Sequence, residues 1–375
     1  MKDRIERCEW WDVEVSARTR WWCLRLVTEA GESGYGECSD GGAAADIDSA
    51  LRAVGALAAG RHAAADREAL LRALAARSAA ERRRGQRHLA ATVAGAVECA
   101  LDDLAARRAG VPLWRLFAEA VRTDELELYA NINRGLRDRS PAGFARAAVR
   151  AVDDGFLSVK CAPFDDPPSD GETAAAAGLA RLSAMREAIG SRAALLVDVH
   201  QRLPLDTVLA IVPALEALAV GWLEDAVRFD RIDDLRRLKA ATRIPLAGGE
   251  QALNPDEIAP TCDAGVLDVV MPDVKHAGLA GALAIARHAA SRGARVSLHN
   301  PTGPIATAAS LHVAAVLASS SLLEFAYDEL PERGSLVTPA ERPRGGMLGV
   351  PPGPGLGVAL DLTGTSFTTL TAARG

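Results

Sequence analysis

The sequence lacks the features that would place it in several common protein classes. Its six cysteines include no Cys-x-x-Cys pair, which argues against a zinc site and a disulfide framework and suits a reducing cytosol. No stretch of about 18 residues is apolar and free of charge, so no membrane-spanning helix is expected. The first residues, MKDRIERCEWW, carry charges where a signal peptide would need an apolar run. We therefore expect a cytoplasmic protein.

An excess of positive charge is also absent. The chain carries a net charge of −6, so neither nucleic acid nor an anionic membrane is expected as a partner. Its 375 residues exceed one small domain, and a hydrophobic fraction of 49% with 25% charged residues is typical of a folded protein with a large core.

The N-terminal part, residues 1–125, has the pattern of an α+β domain. Residues 10–16 and 21–28 are rich in strand-forming side chains, and the glycine-rich segment 31–36 leads into a third strand. Residues 43–109 then become rich in alanine and arginine at helical spacing. Strands followed by a block of helices are typical of a separate domain.

From residue 126 onward, short apolar runs alternate with amphipathic helical segments. Eight such βα units predict a TIM-type (β/α)7–8 barrel, of the α/β class, over residues 126–334. An open doubly wound sheet is the rival, but the glycine-rich phosphate loop expected after its first strand is missing. The candidate strands are 126–132, 156–160, 194–199, 220–223, 244–247, 267–271, 295–298 and 322–325.

The C-terminal segment, residues 335–375, is too short to fold alone. It contains a proline- and glycine-rich stretch at 351–357, followed by a short strand-like piece at 358–362. We expect this segment to pack against the N-terminal α+β domain, which would then cap the barrel.

A polar residue stands at the end of nearly every candidate strand. From the third strand to the eighth, the intervals between these residues are 26, 26, 23, 26 and 25 residues, about one βα unit each. Equal phase along successive strands places their side chains around one rim of the barrel, where barrel enzymes keep their chemistry. The residues are Lys160, Asp198, Glu224, Glu250, Asp273, His299 and Glu324.

Three of these residues are acids on consecutive strands: Asp198, Glu224 and Glu250. Acids that converge in one pocket raise each other's pKa and cannot all stay ionised unless a cation lies between them. Carboxylate oxygens are the hard ligands that Mg²⁺ prefers. A single strand-end acid is more often a solvated loop carboxylate, but three in phase predict a metal site.

Short strings around these residues, and two elsewhere in the chain, form an ordered set. They are Asp-Asp-Leu at 102–104, Trp-Leu-Glu-Asp at 222–225, Gly-Gly-Glu at 248–250, Met-Pro-Asp-Val-Lys at 271–275, His-Asn-Pro at 299–301 and Pro-Gly-Leu-Gly at 354–357. In this order the strings resemble the enolase superfamily, and its mandelate racemase branch in particular. The resemblance implies removal of the proton next to the carboxylate of a small-molecule substrate, through a stabilised enolate. It also implies Mg²⁺ on the three acids and a homo-oligomer.

The same resemblance implies roles for four rim residues. Lys160 would help to neutralise the enolate. Glu324 would donate to the second carboxylate oxygen, either in its protonated form or through a partner. His299 would be the base, with Asp273 one βα unit upstream fixing its tautomer. Taken alone, a strand-end histidine is as often a packed or surface residue.

The second barrel strand departs from the racemase pattern. Lys-x-Lys is usual there, but this chain has Lys160-Cys161-Ala162. Alanine cannot move a proton, so a racemisation with two bases is put in doubt. Cys161 alternates away from Lys160 and is assigned no chemistry.

His200 follows Asp198 by two residues, so strand periodicity points both side chains into the same space. The stretch 198–203 resembles mannonate dehydratases, in which such a histidine acts as the acid. The alternative is that His200 only hydrogen-bonds the substrate.

Other residues are candidates for binding the substrate. Lys275 follows Asp273 by two residues, so the same strand periodicity points its side chain inward. There it would pair with a carboxylate rather than act as a base. Asn131, at the end of the first barrel strand, is a candidate polar contact. Arg18 or Arg20 would hold a distal anionic group. In the same part of the cap, Trp21 and Trp22 would pack over the pocket.

The sequence favours dehydration of a sugar acid or a related hydroxy acid. The alternative within the superfamily is a racemase, an epimerase or a cycloisomerase. A non-catalytic binding relative would be expected to have lost the metal-binding acids, and this chain keeps all three.

Overall fold

The computed structural model describes residues 3–16, 19–166, 173–318, 320–361 and 367–374. These ranges form fifteen strands in three sheets. The strands are β1 (Ile5–Glu14), β2 (Arg20–Thr28), β3 (Ser33–Glu37), β4 (Glu125–Asn131), β5 (Ser158–Cys161), β6 (Ala194–Asp198), β7 (Val220–Glu224), β8 (Leu246–Gly248), β9 (Val269–Val270), β10 (Arg295–Leu298), β11 (Ser320–Ala326), β12 (Val337–Thr338), β13 (Met347–Gly349), β14 (Ala359–Leu360) and β15 (Phe367–Arg374).

The same ranges contain ten α-helices, three before the barrel and seven within it. The helices are α1 (Ala44–Ala58), α2 (Arg67–Ala80), α3 (Arg84–Ala109), α4 (Pro141–Asp153), α5 (Ala174–Ile189), α6 (Leu205–Ala217), α7 (Ile232–Ala241), α8 (Pro255–Asp263), α9 (Val274–Ser291) and α10 (Pro304–Ala315).

Strands β4 to β11 form the predicted barrel. They pair in parallel in sequence order, and β11 pairs with β4 to close the ring. A helix lies between each strand and the next, as βα crossovers require. The closed eight-stranded barrel with a separate N-terminal cap confirms the predicted fold class.

The barrel strands are buried on both sides because each separates the lumen from the helical layer. Tyr129, Leu196 and Trp222 pack with Ala247, Val269 and Met271 in a small cluster of their own, which fills the lumen. The alternate side chains, such as those of Val159, Cys161 and Val197, belong to the larger core beneath the helices. This placement explains why Cys161 is fully buried and faces away from the rim.

The cap consists of an antiparallel sheet and helices α1 to α3. The sheet has the order β15-β1-β2-β3, so the C-terminal strand pairs with the N-terminal one. Helix α1 buries one stripe, Ile47, Leu51, Val54 and Ala58, against the cap core, at the spacing of one helical face.

The C-terminal segment contacts both parts of the molecule. β13 adds an antiparallel edge to β4 of the barrel, β12 pairs with β14, and β15 completes the cap sheet. The strand expected at 358–362 is the short β14. The division of the chain at residues 125 and 334 stays a prediction.

A carboxylate from the cap anchors it to the barrel. Glu37, at the end of β3, is 3% exposed and accepts hydrogen bonds from the backbone N–H groups of Gly303 (2.8 Å) and Ala306 (2.9 Å). These groups belong to the first turn of α10, where amides have no helical acceptor and negative charge is stabilised. A Cβ on Gly303 would lie 2.8 Å from a Glu37 oxygen, so glycine permits the close approach.

Helix α3 of the cap approaches helix α9 of the barrel at a glycine. A Cβ on Gly95 would lie 2.3 Å from the backbone oxygen of Lys275. Three residues further along α3, Glu98 accepts a hydrogen bond from the N–H of Ala280 (3.1 Å). The start of α9, which carries part of the rim, is therefore fixed by the cap.

The state of the cysteines and the character of the helices can be read from the structure. All six cysteines lie in the described part of the chain, where each is free and buried. Among the described residues, no helix has the length and apolar character needed to cross a bilayer.

We expect Glu37→Ala to lower the free energy of unfolding by about 1–3 kcal/mol, because two buried amides lose their acceptor. The measurement is the midpoint of denaturant unfolding. Glu29 is exposed on the same cap, so Glu29→Ala is the control and should change the free energy by less than about 0.5 kcal/mol. Equal midpoints for the two variants would contradict this role for Glu37.

Candidate active site

The structure places all seven predicted strand-end residues at one end of the barrel. Lys160, Asp198 and Glu224 lie within their strands or end them, and Glu324 lies within β11. The other three, Glu250, Asp273 and His299, stand two, three and one residues beyond the ends of β8, β9 and β10. Except for Glu250, which is partly exposed, all seven are buried.

Lys160 connects three of the acids. Its Nζ lies 2.6 Å from Glu224, 2.7 Å from Glu324 and 3.9 Å from Asp198. Burial by itself would lower the pKa of Lys160, but the carboxylates of Glu224 and Glu324 raise it well above its usual value. These carboxylates therefore stabilise the lysine in its charged form.

The predicted metal-binding acids share one region of low dielectric. Asp198 and Glu224 are register partners on β6 and β7. Burial raises the pKa of Glu224 well above its usual value, and the charges of Asp198 and Glu250 raise it further against the opposing effect of Lys160. Acids that influence one another in this way are a suitable donor set for a divalent cation.

Each of these acids contacts a basic side chain in this structure. Lys160 contacts Glu224, His200 Nε2 lies 2.9 Å from Asp198, and His299 Nε2 lies 3.0 Å from Glu250. Within the described part of the chain, the three acids are not among the groups whose ligand atoms all lie within 4.8 Å of one another. Their assignment as metal ligands stays a prediction, which their chemistry and mutual electrostatics support.

His200 reaches Asp198 by a turn rather than by strand periodicity. β6 ends at Asp198, and His200 has a left-handed backbone (φ 48°) whose N–H donates to Asp198 Oδ1 (2.8 Å). Its Nδ1 lies 2.9 Å from Asp165. Burial opposes protonation of the imidazole, but Asp198 and Asp165 together raise the pKa of His200 to about 11. The predicted proximity is therefore correct, although its geometric reason is different.

His299 is oriented by Asp273, as the sequence predicted. Its Nδ1 lies 2.7 Å from Asp273 Oδ2, so its Nε2 faces the acids of the rim. Burial disfavours the charged imidazole, but the Glu250 and Glu324 carboxylates raise the pKa of His299 well above its usual value.

Lys275 does not lie on a strand, so the parity argument for it was wrong. β9 ends at Val270, and Asp273 caps the helix α9 by accepting the N–H of Lys275 (2.7 Å). The expected pairing with a carboxylate is nevertheless observed, because Lys275 Nζ lies 2.6 Å from Asp273 Oδ2. That same oxygen is the partner of His299, so one carboxylate holds both side chains.

Among the described residues, Asp273, His276 and His299 form a group of possible metal ligands within 4.8 Å. His276 is already engaged, since its Nδ1 lies 2.8 Å from the Thr92 hydroxyl. The Lys275 ammonium on Asp273 would repel a metal ion at this position. We therefore interpret the group as the support of His299 rather than as a metal centre.

Glu324 accepts hydrogen bonds rather than donating them. Lys160, the Asn131 side chain (2.7 Å) and the Asn300 N–H (2.9 Å) all donate to its oxygens. Burial would raise the pKa of Glu324, but Lys160 and His299 lower it overall. The protonated form considered from the sequence is therefore disfavoured. Asn131, considered there as a substrate contact, is occupied by Glu324.

The cap residues proposed from the sequence have different surroundings. Arg20 pairs with Asp12 and with Glu14 (3.2 Å) on the neighbouring strand β1, so it would have to leave these partners to hold a substrate. Trp21 and Trp22 are buried in the cap and its interface with the barrel. Arg18 lies outside the described residues.

Several polar residues near the rim were missed from the sequence. Asp165 holds His200, and Asn300 donates to Glu324. Asp225 is 5% exposed, and burial followed by the charges of Glu250 and Asp198 raises its pKa to about 8. Asp225 and Asn300 each stand one residue after a predicted site residue, which is the signal that could have identified them.

A cavity of about 250 Å³ opens beside these acids. It lies next to Glu250, Asp225 and His200, and the cap contributes Arg84 to its wall. Glu250 and Asp225 are therefore accessible to a small solute from the side of the cap.

Models of known families match both parts of the chain. Residues 13–118 match the N-terminal domain of mandelate racemase/muconate lactonizing enzymes, and residues 143–364 match the enolase C-terminal domain-like family. The chain belongs to the enolase superfamily. It is an enzyme of the mandelate racemase/muconate lactonizing enzyme group, and membership implies a divalent metal site. The narrower mandelate racemase branch stays a prediction.

Relatives in this superfamily carry dehydratase names. A D-gluconate dehydratase of Thermoproteus tenax is 30% identical over 72% of this chain and 55% of its own length. A D-galactonate dehydratase of Variovorax paradoxus is 29% identical, over 91% of this chain and 89% of its own. The crystal structure of a mandelate racemase/muconate lactonizing enzyme-like protein from Rubrobacter xylanophilus superposes with a TM-score of 0.82 at 26% identity, over 96% of both chains.

We expect Lys275→Met to lower the free energy of unfolding by about 3–5 kcal/mol, because it leaves the buried charge of Asp273 without its closest cation. Lys239 pairs with Asp268 at 2.8 Å on the surface, so Lys239→Met is the matched control and should cost less than about 1 kcal/mol. Denaturant unfolding of both variants measures the difference. A small loss at Lys275 would contradict the buried ion pair.

Proposed function

We propose that this enzyme dehydrates a sugar acid or a related hydroxy acid, by removing the proton next to its carboxylate and expelling the neighbouring hydroxyl. The observation that carries the proposal is the placement of two histidines. His299 follows β10 and His200 follows β6, four strands apart in a closed ring of eight. They therefore face each other across the barrel mouth, with the acids of the rim between them.

Asp198, Glu224 and Glu250 are the proposed ligands of Mg²⁺, because hard carboxylate oxygens in a shared buried region fit this ion. When bound, the ion would act as a Lewis acid that stabilises the second negative charge on the substrate carboxylate. Binding would replace the contacts of these acids with Lys160, His200 and His299. Lys160 keeps Glu324, and His200 keeps Asp165, as carboxylate partners outside the proposed ligand set.

His299 is the proposed base. The contact of Nδ1 with Asp273 fixes the tautomer, so Nε2 is the atom that accepts the proton. A base must be neutral, and His299 therefore has to give up the Glu250 carboxylate that now lies 3.0 Å from Nε2.

Lys160 and its neighbours are proposed to stabilise the enolate. The Lys160 ammonium is fixed by Glu224 and Glu324 in the barrel centre, where a preorganised cation is more effective than in water. Asn131 and Asn300 hold Glu324 in turn. Glu324 thus acts through its partner Lys160, one of the two possibilities considered from the sequence.

His200 is the proposed acid. Its side chain is 34% exposed, so it faces the open mouth, and Asp165 holds its Nδ1. The Cα–H bond breaks as its proton passes to His299, and the C–O bond breaks as the hydroxyl takes a proton from His200. The products are water and an enol, which tautomerises to a 2-keto acid.

Isomerisation is the second candidate function. Ala162 argues against an isomerisation mechanism that uses two bases. Ala162 occupies the position at which a second lysine would act. Lys160 itself is held as a cation by its carboxylate partners, so it cannot serve as the other base. A racemase, epimerase or cycloisomerase would need His200 in that role.

The cellular setting is inferred from composition and family. Six free and buried cysteines suit the reducing cytoplasm, and resemblance to the superfamily suggests a homo-oligomer.

Incubation of the purified enzyme with Mg²⁺ and a panel of sugar acids in deuterated water is expected to yield a 2-keto-3-deoxy acid from at least one of them. NMR and a keto-acid assay measure the product. Exchange of the α-proton with all hydroxyls retained would support the isomerase instead. Neither product nor exchange from any acid would refute the proposed reaction.

His299→Asn is expected to abolish turnover, by at least about 100-fold, while divalent-ion binding survives. The matched variant Glu224→Gln is expected to weaken Mg²⁺ binding itself, because one of three charged ligands becomes neutral. Calorimetry measures ion binding and the keto-acid assay measures turnover. Retained activity in His299→Asn would remove the base from its role, and unchanged Mg²⁺ affinity in Glu224→Gln would remove Glu224 from the ligand set.

A further inference from the structure

Glu329 carries a buried carboxylate that has no hydrogen-bond donor. It stands three residues beyond the end of β11 and is 9% exposed, and among the described residues neither of its oxygens has a partner. An unsatisfied buried carboxylate is costly, so a group of this kind calls for a ligand or a water molecule as its donor.

The cations closest to Glu329 are already engaged. Burial raises the pKa of Glu329 to about 7, against the opposing charges of Arg134 and Arg333. Arg134 donates to both oxygens of Asp40 (2.9 and 2.8 Å), and Arg333 pairs with Glu341 (2.6 Å). The arginines therefore balance the charge in this region, but neither of them donates a hydrogen bond to the Glu329 oxygens.

Two further polar groups in this region are unsatisfied. The Trp21 indole N–H and the Thr302 hydroxyl are buried and have no partner among the described residues. Both belong to neighbours of Arg333, which lies 5.1 Å from the Trp21 ring and donates to the backbone oxygen of Thr302. Several buried polar groups without hydrogen-bond partners therefore lie close together between the cap and the barrel rim.

This region adjoins the proposed active site on its outer side. β4 and β11 are neighbours in the ring, and Asn131 and Glu324 at their ends belong to the site. Arg134 and Glu329 each stand three residues beyond the end of these strands, where the Asp40 loop of the cap meets them. The side chains of Asp40 and Arg134 are each 26% exposed, so the region is open on one side.

The charges and hydrogen-bonding groups around Glu329 indicate which class of ligand the region can bind. A carboxylate accepts hydrogen bonds from hydroxyl groups, whereas it repels a second carboxylate. The pairing of Arg134 with Asp40 cancels the charge that would otherwise attract an anion. Hydroxyl groups at the far end of a carbon chain, whose acid end lies at the rim, meet these requirements.

We propose that Glu329, beside the Arg134–Asp40 pair, forms a subsite for the distal hydroxyl groups of the substrate, and that it selects polyhydroxy monocarboxylates over dicarboxylates. This inference rests on the proposed function for the position of the acid end, and it adds the class of chain that the site accepts.

The test uses binding as well as turnover. In the His299→Asn background with Mg²⁺, and at a pH above the pKa of Glu329 so that the carboxylate is ionised, Glu329→Gln should weaken the binding of gluconate by about 10-fold or more, because a hydrogen bond to a charged acceptor is lost. Glycerate has the reacting groups but no distal hydroxyls, so its binding should change by less than about twofold. The unsubstituted site should bind the dicarboxylate galactarate more weakly than gluconate. Glu329→Gln should reduce this difference in affinity between the two acids. Calorimetry measures all three.

Glu332→Gln is the matched control, because Glu332 is exposed in the same loop, and it should leave all three affinities unchanged. Thermal melting verifies that both variants fold, and Glu329→Asp supplies a second variant that keeps the charge. Equal effects on gluconate and glycerate, no effect on either, or no binding of gluconate before the substitution would overturn the inference. Binding that follows the expected pattern without any turnover would instead refute the proposed reaction and leave the subsite standing.

Discussion

Buried negative charge at the barrel rim is the constraint on which the rest of the site depends. Asp198, Glu224 and Glu324 surround a single lysine, Lys160, and a carboxylate removed from water is tolerated only if it is paired or hydrogen-bonded. The two histidines at the mouth are placed by the same requirement, because each lies against one of the rim carboxylates. The same carboxylates therefore determine both the electrostatics of the rim and the geometry of the proposed reaction.

The requirement that a buried carboxylate be paired or hydrogen-bonded also fixes the cap on the barrel. Here backbone amides, rather than cations, are the partners. Glu37 satisfies the first turn of α10, and Asp103 accepts the N–H groups of Tyr35 (2.9 Å) and Leu356 (2.7 Å). The N-terminal sheet and the C-terminal segment are thus tied to the same cap helix, α3, which also approaches the start of α9. The support of His299 depends on this docking, because Asp273 and Lys275 lie at that helix end.

Local sequence patterns predicted the strands and helices of the barrel and the polar residues at the strand ends. Contacts between loops could not be predicted in this way. Strand-end residues such as Glu224 were identified because their spacing follows the βα repeat, and the strands because their apolar runs are buried on both sides. Lys275 was misplaced because a helix begins directly after Asp273 and strand parity no longer applies. Asp165 and Glu329 lie in loops, where no periodicity marks a residue that meets the site only through tertiary contacts. Asp165 was missed because its partner His200 lies 35 residues away in the sequence, and Glu329 because it has no hydrogen-bond partner among the described residues.

The alanine at position 162 limits how a proton can be moved in this barrel. With Lys160 held by carboxylates on opposite strands, β7 and β11, the only basic group on β5 is committed to charge balance. A second proton-handling group must then come from another strand, and His200 on the loop after β6 is positioned for it by Asp165 and Asp198. A histidine so closely paired with carboxylates is stabilised in its protonated form, which suits a donor to a leaving hydroxyl better than a base. The loss of one lysine and the pairing of one histidine thus both favour elimination over racemisation.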